Sequence, residues 1–127
     1  MNQPIDRLRP PPGTRAAGPA VQLNLPDLAL ALRNEPHPAK SGHRQTGLIH
    51  HGSLRLLLFA FEAGGHLTEH RVPAHIVIQC IRGKLSVEAD GQAHVLGPAQ
   101  AVALTPDVAH SVEAVVESDM LLTVCMG

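Results

Sequence analysis

Residues 64–83 read GGHLTEHRVPAHIVIQCIRG. The stretch opens on a glycine pair, carries histidines at 66, 70 and 75, passes through Val72-Pro73 into an almost uninterrupted apolar run, and stops at Gly83. An apolar run bounded by turn residues predicts a short strand covered on both faces. Further along, LTPDVAHSV (residues 104–112) places His110 at the start of another strand-like run. Imidazoles from neighbouring strands of a small barrel can converge on one point inside it.

The surrounding sequence repeats this pattern. Leu54–Phe61 is apolar on both faces apart from Arg55, and residues 62–65 turn the chain. Residues 84–89 alternate, with Leu85 and Val87 on one face and Lys84, Ser86 and Glu88 on the other. Asp90-Gly91 is a hairpin turn leading into residues 93–96. Gly97-Pro98 turns again before the apolar residues 101–104. Thr105-Pro106-Asp107 makes the next corner, and residues 110–116 and 120–124 finish the chain. Strands at intervals of about ten residues predict an all-β sandwich or barrel of antiparallel strands. There is no βα alternation, no Gly-rich phosphate loop and no serine nucleophile elbow.

Ahead of the strands, residues 1–20 carry Pro4, Pro10, Pro11, Pro12 and Pro19 with Gly13 and Gly18, which predicts a flexible proline-rich arm. Residues 21–47 read as a short helix and a connection. Pro26 and Asp27 suit a first turn, Leu28, Ala31 and Leu32 share a face, and Pro36 ends the helix. His37 and His43 are expected in solvent, and residues 48–127 make the barrel. A chain of 127 residues suits one domain.

A formal charge of −1, from 10 basic and 11 acidic residues, with Phe59 and Phe61 as the two aromatics, argues against a nucleic-acid partner. The apolar runs are too short to span a bilayer, and no apolar signal core begins the chain. The expectation is a cytoplasmic protein without a membrane partner, with Cys80 and Cys125 as buried thiols and not a disulfide.

Residues 48–124 resemble a small single-domain cupin, a double-stranded β-helix or jelly-roll barrel. That family's first motif runs Gly, five residues, His-x-His, three or four residues, Glu, six residues, Gly. Gly64, His70 and Gly83 fall on it, whereas Val72 stands at the second His and Ile76 at the Glu. Of the second motif His110 matches, with Ala99, Thr105, Asp107 and Ala114 at its other places. LTPDVAHSVEA and EHRVPAHIVIQCIRGKL resemble the corresponding phrases of a degenerate subgroup.

The resemblance implies a site of three imidazoles and a carboxylate around Fe, Mn, Ni, Zn or Cu. This chain matches only His70 and His110 of that set, leaving His75 and His66 as candidates for a third ligand. In a regular strand His66 and Val72 share the face of His70, and His75 does not. A bulge near Pro73 would reverse that parity. Val72, Ile76 and Gln79 are the expected lining of a ligand pocket, and Glu69 points away from His70. His50 and His51 read as loop or edge residues, and His94 as solvent-facing.

Two functions follow. One is a small-molecule binding or sensing barrel with an incomplete histidine metal site. The other is a metal-dependent small-molecule enzyme of dioxygenase or isomerase type. The cofactor is either one divalent transition metal or none. A homodimer is expected, because the arm and helix have no other evident surface to cover.

Overall fold

The computed structural model describes residues 19–126. The proline-rich arm, apart from Pro19 and Ala20, lies outside them. Helix α1 spans Leu25–Arg33, and its local sequence explains both ends. The Asn24 side chain accepts a hydrogen bond from the Asp27 N–H at 3.1 Å, which satisfies one of the first-turn donors. Pro26 sits in the first turn where its missing N–H costs nothing, and Asp27 and Arg33 complement the helix dipole at opposite ends. Ala29 and Leu32 are buried against Leu48, Leu58 and Ala60.

Nine strands follow: β1 (His43–His51), β2 (Leu54–Phe61), β3 (His66–His70), β4 (His75–Arg82), β5 (Leu85–Ala89), β6 (Gln92–Leu96), β7 (Ala101–Leu104), β8 (His110–Ala114) and β9 (Ser118–Cys125). They form one sheet in the order β1-β2-β9-β4-β7 and another in the order β3-β8-β5-β6, with antiparallel pairing throughout. The result is the expected all-β jelly-roll barrel with a short N-terminal helix.

The double-sided apolar strands have two separate partners. Phe59 and Phe61 of β2 point between the sheets and pack with Ile76, Ile78, Cys80, Leu85, Val87, Val112 and Met120. Leu58 and Ala60 point outward and are covered by α1. The helix therefore packs on its own barrel, contrary to the expectation that it has no surface of its own chain to cover. Its C-terminal turn is tied down by charge. Arg33 reaches Asp119 at 2.6 Å, Arg82 reaches the other oxygen of Asp119 at 3.1 Å, and Arg82 also holds Glu117 at 2.9 Å.

Three expectations change. Cys80 is buried as expected, but Cys125, at the end of β9, is exposed. His43 is not in solvent: it opens β1, five residues ahead of the expected barrel start, and its ring lies 5.8 Å from Phe59 and 5.6 Å from Phe61. His94 pairs with Val87, whose side chain is fully buried, so it is half-buried on the inward face and not solvent-facing.

Candidate ligand pocket

The site is built by a bulge. Leu67 of β3 pairs with Val112 of β8, and His70 pairs with His110, so three steps along β3 match two along β8. A regular strand would place His70 on the face of His66. The extra residue instead returns it to the face of Leu67, which packs on the core. His110 shares that face with Val112 and Ala114, because the three alternate regularly along β8.

The two imidazoles meet there, with ring centroids 4.4 Å apart and planes inclined at 57°. His110 is 4% exposed, while His70 is open to solvent at the end of its strand. Each ring is fixed by the same local device. His70 Nδ1–H donates to the Thr68 carbonyl at 2.8 Å, and His110 Nδ1–H donates to the Val108 carbonyl at 3.0 Å. A carbonyl only accepts, so Nδ1 must carry the proton. In the neutral state each Nε2 therefore presents a bare lone pair, suited to a hydrogen-bond donor or a metal ion.

The other expected site residues distribute unevenly around this pair. Ile76, 3% exposed, faces inward from β4 as part of the core, and Val72 packs against that core from the β3–β4 connection. His75 precedes Ile76 on the alternating strand and faces outward, beside the exposed Cys125 of β9. His66 pairs with the exposed Glu113 and also faces away from the interior. Gln79 lies on the outer face of β4, lining a groove of about 450 Å3 with Leu23, Leu25 and Ile81.

The structure thus brings together His70 and His110, with Ile76 and Val72 on the inward side, and separates His66, His75 and Gln79 from them. Among the described residues, no group of three His, Cys, Asp or Glu side chains can hold a metal ion. Two imidazoles with apolar residues at the remaining motif positions do not fit a tightly held resident metal.

One neighbour was missed from sequence. Gln92 pairs with Ala89, which pairs with His110, which pairs with His70, so the four stand in one row across the sheet. Ala89 is small and buried, leaving the glutamine and the histidines as the row's polar members. The two-residue turn at Asp90-Gly91, where both residues have positive φ, fixes this register and was the signal available. A cleft of about 520 Å3 opens at the same end of the barrel, lined by Glu69, Arg71, Ala89, Gln92, Asp107 and Val108. Arg71 and Val108 come from segments flanking the two histidines.

Comparison with known proteins agrees with the topology. A cupin superfamily protein from Desulfitobacterium hafniense superposes with a TM-score of 0.70 at 14% identity, over 90% of this chain and 97% of that one. An RmlC-like cupin from Shewanella frigidimarina gives 0.66 at 19% identity, over 69% of this chain and 79% of that one. Salicylate 1,2-dioxygenase from Pseudoaminobacter salicylatoxidans gives 0.65 at 22% identity, over 79% of this chain but only 31% of the enzyme. At these identities the likeness is one of fold. No curated protein matches. The profile of the AraC-like ligand-binding domain matches residues 55–124, more than half of the chain and every strand from β3 to β8. The chain is a small cupin and belongs to the AraC-like ligand-binding domain family.

Proposed function

We propose that this barrel binds a small organic molecule between its two sheets, at the end where His70 and His110 meet. The observation that carries the reading is the pair itself: two imidazoles in contact on the inward face, each with Nδ1 committed to a backbone carbonyl and Nε2 free. Ile76 and Val72 belong to the apolar core that fills the same interior. A pocket with a few placed polar groups on an apolar lining is the ordinary design of a small-molecule site. The family, named for ligand binding, supports a binding or sensing role.

A metal-dependent reaction is the second reading, favoured by the two Nε2 lone pairs and by the dioxygenase among the structural neighbours. In it, His70 and His110 would share a divalent transition metal with donor atoms of the bound molecule. Elemental analysis of protein purified without an affinity tag separates the two. The binding reading expects no stoichiometric metal. About one metal per chain, lost in His110→Ala, would replace it with the metal-dependent one.

The same proposal places the protein in the cytoplasm as a homodimer. Free Cys80 and Cys125 suit a reducing compartment. No helix of the described residues is long and apolar enough to cross a membrane. Exposed Leu54 and Val77, on the part of the outer sheet face away from α1, suit self-association.

A further inference from the structure

Arg55 is the one charged residue of β2, LRLLLFAF. Its neighbours Leu56 and Leu58 pack outward, and Leu57, Phe59 and Phe61 pack inward, so the alternation puts Arg55 on the inward side at the barrel rim. Its pairing agrees, since Arg55 lies between His50 of β1 and Val124 of β9, and Val124 packs on the core.

The other sheet stands opposite. The β1 and β3 edges are joined by the His66 N–H to Ser41 carbonyl bond. Counted from that edge, β2 and β8 are each second in their sheets. Arg55 therefore lies across the barrel from the strand of His110, over an inter-sheet spacing of about 10 Å.

Arg55 also lacks a counter-ion. Of the described arginines, Arg33 and Arg82 bind Asp119 and Glu117, and Arg44 donates to the His37 carbonyl. Among the described residues Arg55 has no ion pair and no hydrogen bond, and neither has Arg71, which lies at the cleft of the other sheet. The carboxylates Glu69, Glu88, Asp90 and Asp107 line the cleft at the end of the other sheet with Arg71, and none pairs with Arg55. An open guanidinium on the inward side of the rim, exposed and without an anion, across the barrel from the strand of two imidazoles whose Nε2 atoms accept when neutral, suits two groups in one ligand: an anion and a hydrogen-bond donor.

We infer that Arg55 is the anion-binding residue of this pocket and that the ligand is a small hydroxy acid. Its carboxylate lies on the Arg55 guanidinium, and its hydroxyl donates to Nε2 of His70 or His110. The planar fork of arginine matches a carboxylate in two parallel hydrogen bonds. The inference rests on the pocket proposed above, and it adds the ligand's charge and class.

Isothermal titration at pH 7.5 with three isosteric pairs tests it: glycolate and glycolamide, lactate and lactamide, salicylate and salicylamide. In the wild type at least one acid should bind tenfold or more tightly than its amide. That preference should vanish in Arg55→Gln and be partly kept in Arg55→Lys, with each variant's fold checked by circular dichroism. Equal binding of acid and amide, or an acid preference that survives Arg55→Gln, overturns the inference. So does a wild type that binds none of the six. If acid and amide bind equally and both are lost in His110→Ala, the pocket stands and only the role of Arg55 fails. Binding unaffected by His110→Ala removes the pocket itself.

Discussion

At Gly83 the backbone has φ of +93°, and an added Cβ would run into the Glu117 carbonyl and Ser118. Ser118 in turn accepts the Lys84 N–H at 2.9 Å, locking the corner between β4 and β5. Gly83→Ala combines a left-handed backbone with a collision against main chain, which should cost about 2–4 kcal/mol. Gly52 also has positive φ but nothing within reach of a Cβ, so Gly52→Ala should cost only about 1 kcal/mol. Urea unfolding of the two variants tests the contrast, and equal losses would mean that the corner has room. Residue types, spacings and turns were legible at this scale. Whether His66 or His75 joins His70 and His110 on the inward face was not. The face of His70 depends on a bulge fixed by pairing with β8, and no residue of β3 announces it. Likewise His43 looks like a loop histidine until β1 pairs with β2 and lays its ring on Phe59 and Phe61.

At the scale of elements, α1 is held by its apolar face and by the Arg33–Asp119–Arg82–Glu117 cluster. The helix could be read from Pro26 and Pro36, but its packed face is Leu28, Ala29 and Leu32, and Ala31 of the expected face is exposed, because the barrel side is set by where the helix lands. The cluster could not, because Asp119 and Glu117 lie far along the chain from Arg33 and meet it only after β9 enters the sheet. The hydrogen bond from Arg82, and the charge of Arg33, hold the Glu117 carboxyl below the usual carboxylate range. The folded state thus binds this proton less readily than the unfolded one. Its contribution is complete above the unfolded value, about 4.3, and fades as pH falls through the lower folded value. Glu117 is half-exposed, so the contribution should stay below about 1 kcal/mol. The melting temperature of the wild type should exceed that of Glu117→Gln near pH 6, with the gap closing toward pH 3. A gap that widens in acid would mean that the pair does not stabilise the fold.

For the whole molecule, most turn positions and the jelly-roll were readable because each turn carries its own chemistry and most strands their own alternation, whereas β1, begun inside the expected connection, and the short β3 were not read as strands. The outer sheet face was harder, since its coverage depends on where the helix lands. It leaves Leu54 at 38% and Val77 at 37% exposure, a face suited to a second copy. Light scattering at micromolar concentration should give about twice the chain mass of 13.5 kDa, and Val77→Glu should lower it toward one chain. A wild-type mass of 13.5 kDa would show that the face is not an interface.

The proposed pocket depends on His70 and His110 forming one inward site with both Nε2 atoms free to accept. Free histidine favours the proton on Nε2, so this arrangement leaves an uncommon signature at both positions. Long-range proton–nitrogen correlation spectra of the labelled protein near pH 7.5 read the tautomers directly. The geometry predicts that both rings carry the proton on Nδ1 and none on Nε2, and that His110→Ala perturbs the signals of His70 but not those of His66 or His75. A proton on Nε2 of either ring, or a His70 indifferent to the loss of His110, would contradict it.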